Sequence, residues 1–129
     1  DLEGFAYIKP LIHKVEDTIG KQITGILRIK YNLLNPTPQF KEHNYNVPHL
    51  DAFNEDYITA LYYVNDSDGD TIIFNERSGF PKPEKLTIRD RVSPKKGRML
   101  LFKGDLWHAS SSPIVNRERI VLNMILKIK

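Results

Sequence analysis

The chain has 129 residues, a formal net charge of +3 and no cysteine. This length is typical of one domain with one hydrophobic core, and the ordinary apolar and charged content argues against disorder. The absence of cysteine excludes disulfides, thiolate metal sites and thiol nucleophiles. Histidine and carboxylate side chains are therefore the strong metal ligands that remain. We expect residues 1–129 to form a single domain, complete in itself or trimmed from a longer protein.

No apolar stretch approaches the length of a membrane span, and no charged-then-apolar leader opens the chain. These features predict a cytoplasmic protein without a membrane partner. Nothing in the sequence indicates the oligomeric state.

The first predicted element is a helix over residues 11–24, where apolar side chains recur at close to helical spacing. Gly25 is its expected end. After it, strands are predicted from β-branched and aromatic content and from turn residues between the segments. The predicted strands are 26–34, 57–64, 70–74, 85–91, 98–102, 106–110 and 119–128.

The run Asn-Asp-Ser-Asp-Gly at positions 65–69 has the composition of a tight turn, which predicts that strands 57–64 and 70–74 form a hairpin. This series of short strands behind one helix predicts a mainly β protein, an antiparallel sandwich or barrel. Residues 35–47 and 75–84 are predicted as longer loops, where substrate contacts tend to lie. His43, in the first of these loops, is a candidate for such a contact.

His49 and Asp51 form the first pattern that carries chemistry. Residues two apart on an extended segment point to the same face, so both side chains can reach one ion. Alone, the pair is weak evidence, because His-x-Asp arises by chance in roughly a quarter of such sequences. His108 strengthens it, since two imidazoles and one carboxylate form a facial triad that leaves three positions open on a metal ion. This set suits Fe(II) oxygenases.

Arg119 opens an apolar strand and is costly to bury there unless it pairs with an anion. Its planar guanidinium matches a carboxylate in bidentate fashion, and Asn123 on the same strand face can add a hydrogen bond. Arg117 is the alternative cation. We favour Arg119 because of strand parity.

The order of these motifs resembles the 2-oxoglutarate/Fe(II) oxygenases of the prolyl-hydroxylase type, with small microbial or phage-encoded members the most similar. The motifs are the His49-x-Asp51 pair, Tyr-Tyr at 62–63, the segment 68–74, Pro94-x-x-Gly97, His108 and Arg119. The resemblance implies a double-stranded β-helix, a jelly-roll of the cupin kind, behind the N-terminal helix. It begins at about Ile26 and extends to the end of the chain.

The resemblance also implies the roles of the site residues. Fe(II) would be held by His49, Asp51 and His108, with 2-oxoglutarate and O2 as cosubstrates and ascorbate as a reductant. Tyr63 matches the phenol that contacts the far carboxylate of 2-oxoglutarate. Thr71 matches a threonine of the family's Gly-Gly-Glu-Thr-x-Phe hairpin, although this sequence has Gly-Asp-Thr and an extra isoleucine there, which leaves the strand face of Thr71 open.

The implied reaction is hydroxylation of a C–H bond in a prolyl or other residue of a peptide or protein, or in a small molecule. Two alternatives remain. One is oxidative dealkylation of nucleic acid, which the basic stretch 77–98 permits, although solvated strand edges are the favoured explanation of that stretch. The other is a catalytically silent metal-binding β-barrel.

Overall fold

A computed structural model of the chain describes residues 2–41, 44–115 and 117–129. His43 lies outside the described residues. One helix, α1 (Leu2–Ile19), precedes seven strands. The strands are β1 (Ile23–Leu34), β2 (Tyr57–Tyr63), β3 (Thr71–Arg77), β4 (Ile88–Val92), β5 (Met99–Lys103), β6 (Leu106–Ser110) and β7 (Arg119–Ile128). The mainly β architecture behind an N-terminal helix is the one predicted.

The position predicted for the helix was wrong at both ends, because α1 starts at Leu2 and stops at Ile19. Gly20, rather than Gly25, ends the helix. Gly20 has a φ of 67°, a conformation that glycine adopts without steric cost, and its N–H donates to the Glu16 carbonyl at 2.9 Å. Gly25 lies instead within β1, opposite Lys127 of β7.

The strands form two antiparallel sheets. The larger has the order β1-β7-β2-β5, and the smaller has the order β4-β3-β6. The predicted hairpin of residues 57–64 and 70–74 is therefore wrong. β2 pairs with β5 and β7, whereas β3 pairs with β4 and β6 in the other sheet.

Residues 65–70 cross from one sheet to the other, held by their polar side chains. The Asn65 amide donates to the Glu118 carbonyl at 2.6 Å and accepts the Ile120 N–H at 3.0 Å. A Cβ at Gly69 would clash with the Ser111 carbonyl. The turn-forming residues 65–69 thus contact the segment that leads into β7, and they do not close a hairpin between β2 and β3.

Two hydrophobic cores lie on opposite faces of the larger sheet. Successive side chains of a strand point to opposite faces, so β7 contributes to both. Helix α1 packs on the outer face, where its Val15 joins Leu122, Met124 and Leu126 of β7. The inner core lies between the sheets and includes residues of both: Leu61, Tyr63 and Val121 from the larger sheet, and Ile73 and Leu106 from the smaller.

Strand β4 forms the outer edge of the smaller sheet and is exposed over Ile88–Arg91. It begins later than predicted, and β3 extends to Arg77, so the loop predicted at 75–84 starts after Arg77. The exposed cations of β4 fit the expectation of a solvated edge strand. In the described part of the chain, no helix has both the length and the apolar character needed to cross a membrane.

Candidate metal centre

The backbone places His49 beside His108. The two residues form an isolated antiparallel bridge, with His49 N–H to His108 O at 2.9 Å and His108 N–H to His49 O at 3.1 Å. Their ring centroids lie 4.3 Å apart. Next along the chain, the N–H groups of Asp51 and Ala52 both donate to the Gly104 carbonyl, at 3.1 and 3.0 Å. These backbone bonds fix the directions of all three candidate ligands.

His49, Asp51 and His108 can each offer one ligand atom to a common point, and these atoms lie within 4.8 Å of one another. Nε2 of His108 is 3.1 Å from Oδ2 of Asp51, and Nε2 of His49 is 3.6 Å from Oδ1. The side chains of Asp51 and His108 are 1% and 4% exposed, whereas that of His49 is 51% exposed. Solvent and ligands can therefore reach the cluster from the side of His49.

Carbonyl oxygens orient both imidazole rings. Nδ1 of His108 lies 2.9 Å from the Leu106 carbonyl, and Nδ1 of His49 lies 3.4 Å from the Val47 carbonyl. A proton on Nδ1 leaves the Nε2 lone pair for a metal, the usual arrangement of ligating histidines. Nε2 of His108 is buried, and its contact with Asp51 lacks the geometry of a hydrogen bond. It is therefore an orphaned polar atom aimed at the cluster.

Thr59 was missed in the sequence, although it precedes Tyr63 on the same face of β2. Its hydroxyl donates to Oδ2 of Asp51 at 2.6 Å. Burial opposes ionisation of Asp51, but the close His108 imidazole, the hydrogen bond from Thr59 and the nearby His49 imidazole outweigh it and lower the pKa of this carboxyl. Burial and the neighbouring His108 lower the pKa of His49. Both directions favour the ligand forms, a carboxylate and a neutral imidazole.

Arg119 lies in the same space between the sheets and is 4% exposed. Its Nε donates to the Gly69 carbonyl at 2.8 Å, and one terminal nitrogen donates to Oγ1 of Thr71 at 2.7 Å. The Tyr63 hydroxyl lies 2.6 Å from the same Thr71 oxygen. Thr71 therefore faces inward despite the extra isoleucine in its motif. Tyr63, Thr71 and Arg119 form one buried polar group.

No ion pair joins Arg119 to a carboxylate among the described residues. Burial lowers the pKa of its guanidinium, and burial raises the pKa of the Tyr63 phenol. The nearby Asp70 offsets this burial only in part. A buried cation without an ion pair is costly, so an anion at this end of the site would be favourable. Arg117, the alternative cation, is exposed on the surface.

A cavity of about 190 Å³ connects the two ends of the site. The residues that line it include His49 and His108 at one end and Thr71 and Arg119 at the other. Asn123 also lines it, and its Oδ1 is buried without a hydrogen-bond partner. Tyr63 is absent from the cavity lining, but it contacts two lining residues, Thr71 through its hydroxyl and Arg119, whose guanidinium lies 5.8 Å from the ring centroid.

The donor set fits a divalent iron. Two imidazoles and one carboxylate are ligands that Fe(II) accepts, and an arrangement with open positions matches non-haem oxygenases rather than closed structural sites. The orphaned Nε2 of His108 is the kind of atom that a bound ion would satisfy. The described residues thus provide a candidate metal centre that opens into a cavity with a cationic far end.

Two solved structures share the fold. A cupin protein from Bacteroides fragilis matches with a TM-score of 0.51 and 14% identity, over 87% of this chain and 72% of that one. A prolyl hydroxylase from Trichoplax adhaerens, solved in complex with a hypoxia inducible factor oxygen degradation domain peptide fragment, matches with a TM-score of 0.60 and 20% identity. That match covers 93% of this chain but 56% of the hydroxylase, so the chain spans little more than half of its length.

No curated protein matches the sequence. The two structural matches confirm the predicted double-stranded β-helix. The family profile described as the 2OG-Fe(II) oxygenase superfamily matches residues 35–127, which include His49, Asp51, His108 and Arg119. The chain belongs to this superfamily, whose members are 2-oxoglutarate-dependent dioxygenases.

Proposed function

We propose that the chain uses Fe(II), 2-oxoglutarate and O2 to hydroxylate a C–H bond in a prolyl or other residue of a peptide or protein. The observation that supports this best is the combination of two features in one cavity. His49, Asp51 and His108 converge at one end, and the buried Arg119, which forms no ion pair with a described carboxylate, lies at the other. A metal site alone would not need the buried cation.

The spacing between the two ends suits a five-carbon dicarboxylate. Across the β3–β6 pairing, His108 lies opposite Ile73, whereas Thr71 lies opposite Ser110. These two cross-strand pairs are two residues apart along the strands, a distance of about 7 Å. We infer that His49, Asp51 and His108 hold the iron, and that Arg119 binds the far carboxylate of 2-oxoglutarate.

The remaining residues of the cavity position these groups. Thr71 holds the Arg119 guanidinium, and Tyr63 holds Thr71. Asn123 offers its amide to the cosubstrate from the same face of β7, four residues after Arg119. When bound, the iron supplies the oxidising chemistry. The chain contributes alignment of the reactants and exclusion of water, so no general base is required.

Nucleic acid is the less favoured substrate. The basic stretch that suggested it lies largely on and around β4, at the edge of the smaller sheet opposite to β6 and His108. Arg77 of this stretch is also occupied, because it pairs with Asp105 at 2.8 Å and with Glu55 at 3.1 Å. A phosphate backbone bound along β4 would lie two strands away from the candidate ligands.

Mass spectrometry of candidate substrates tests the proposal. The protein is incubated in air with Fe(II), 2-oxoglutarate and pools of peptides, free amino acids and methylated oligonucleotides. We expect succinate to form together with a peptide product heavier by one oxygen atom. Loss of a methyl group from an oligonucleotide would replace the peptide proposal with dealkylation. Complete absence of succinate would favour the silent metal-binding barrel.

Three further predictions come from the sequence and the family. We propose that residues 1–129 act as one oxygenase domain and that it works in the cytoplasm. The use of ascorbate as a reductant follows from the family resemblance, and its effect on succinate formation is measured in the same assay.

A further inference from the structure

The inner face of β1 carries two cations beside the metal centre. Cross-strand partners share a face, and Lys30 lies opposite Asn123, whose side chain lines the cavity. Arg28 precedes Lys30 by two residues and therefore points the same way. One terminal nitrogen of Arg28 lies 3.8 Å from Oδ1 of Asp51. Both cations thus lie where the cavity opens to solvent beside the metal centre.

Both cations are available to a ligand. The Arg28 side chain is 43% exposed, and Lys30 is exposed as well. Asp51 is the single carboxylate that contacts Arg28 in the described part of the chain, and that carboxylate is also the candidate ligand of the metal. A bound divalent cation would add positive charge here. The mouth therefore favours a substrate with negative charge next to the carbon that reacts.

Strand β1 also has a free edge. It is the terminal strand of the larger sheet and pairs only with β7 among the described residues. Its outer N–H and C=O groups are a template that an extended peptide backbone satisfies, whereas a nucleic acid or a small acid does not. Exposed apolar side chains flank the candidate ligands at Val47 and Phe53, which are 83% and 85% exposed.

We propose that the substrate is an acidic peptide segment that adds to the free edge of β1 in extended conformation, with its carboxylates paired to Arg28 and Lys30. This inference rests on the proposed oxygenase function and names its substrate class. Alternate side chains of an added strand point toward the cavity side. The residue to be oxidised thereby points to the face of the sheet on which the metal centre lies, and its neighbours two positions away point toward the two cations.

Binding without turnover tests the inference separately from catalysis. The Fe(II)- and 2-oxoglutarate-loaded protein is titrated without oxygen with labelled proline peptides whose flanking residues are Glu or Lys. A labelled oligonucleotide of matched length is a third probe. We expect the Glu peptide to bind about tenfold more tightly than the Lys peptide, and this preference to shrink as salt is added. Equal affinities, or tighter binding of the oligonucleotide, would overturn the inference.

Charge reversal identifies the surface. Lys30→Glu should weaken binding of the Glu peptide and strengthen binding of the Lys peptide, which loss of structure cannot do. Arg89→Glu on the exposed strand β4 is the matched control and should leave both affinities unchanged. An equal effect of the two substitutions would show that net charge, not β1, selects the peptide.

Backbone methylation tests strand addition directly. Two Glu peptides are compared, N-methylated at odd or at even positions. A strand at a sheet edge turns only alternate N–H groups toward its partner. One peptide should therefore bind about tenfold more weakly and the other as before, whereas equal affinities would exclude strand addition.

Succinate formed from 2-oxoglutarate without any peptide is measured in parallel. Its absence would count against the proposed oxygenase, and its presence with no peptide preference would count against this inference alone.

Discussion

Thr59 donates a hydrogen bond from its hydroxyl to Oδ2 of Asp51 over 2.6 Å. Asp51 lies outside the named strands, whereas Thr59 lies within β2. The bond ties the candidate carboxylate ligand to the rigid larger sheet. Outer partners of this kind orient a ligand before the metal arrives.

Substitution of Thr59 should therefore weaken metal binding without removing a ligand. We expect Thr59→Val to reduce Fe(II) affinity about tenfold or more, the usual effect of losing such a partner. Thr59→Ser keeps the hydroxyl and should bind nearly as the unmodified chain does. Calorimetric titration with Fe(II) in the absence of oxygen measures both. Identical affinities for the valine and serine variants would show that the hydrogen bond does not position Asp51.

Alanine variants of Arg119 and Arg117 form a matched pair that tests which arginine binds 2-oxoglutarate. Arg119→Ala should raise the KM for 2-oxoglutarate at least about thirtyfold, because it removes a buried partner of the carboxylate. Arg117→Ala removes an exposed cation and should leave that KM unchanged. Succinate formation at varied 2-oxoglutarate concentration provides the measurement. The reverse ranking would mean that the far carboxylate binds outside the cavity.

Tyr63 lies behind the cavity lining, where its hydroxyl contacts Thr71 and its ring lies 5.8 Å from the Arg119 guanidinium. Loss of a single neutral hydrogen bond costs about 1 kcal/mol, so Tyr63→Phe should weaken 2-oxoglutarate binding about fivefold. Tyr62→Phe is the control, since Tyr62 packs against the outer, helix-covered core. A loss as large as that of Arg119→Ala would indicate that the phenol contacts the cosubstrate directly.

The chain ahead of β7 packs closely on the crossing segment at Gly69. A side chain there would meet the Ser111 carbonyl and the Arg119 side chain. We expect Gly69→Ala to lower the free energy of unfolding by about 1–3 kcal/mol, as overpacking does. A Cβ at Gly79 would meet no described atom within 4 Å, so Gly79→Ala should be nearly neutral. Chemical denaturation compares the two, and equal stabilities would refute the close packing at Gly69.

Local patterns in the sequence were sufficient for the strands and for much of the site. The bounds of β6 and β7 agree with prediction, because alternation and turn residues mark both ends. Strand parity placed Arg119 and Asn123 on one inner face. The three candidate ligands also follow from residue type and order.

The wrong or missing predictions mostly depended on contacts between residues that are distant in sequence. Residues 65–69 have turn chemistry that a hairpin and a crossing between sheets share, and only their contacts near Glu118 and Ile120 distinguish the two. The helix was predicted from residue 11, where the apolar spacing becomes helical, yet α1 starts at Leu2 and includes Pro10. Thr59 gave no signal of its own, since its role exists only through the contact with Asp51.

The central claim is that one cavity joins a three-ligand iron site to a carboxylate-binding arginine. It is tested most directly by measuring the affinity for 2-oxoglutarate without oxygen, with and without Fe(II), in the unmodified chain and in Asp51→Ala. We predict that Fe(II) strengthens 2-oxoglutarate binding at least about tenfold in the unmodified chain and has no effect in Asp51→Ala, where the site lacks its carboxylate. An affinity independent of Fe(II) in the unmodified chain would contradict the account.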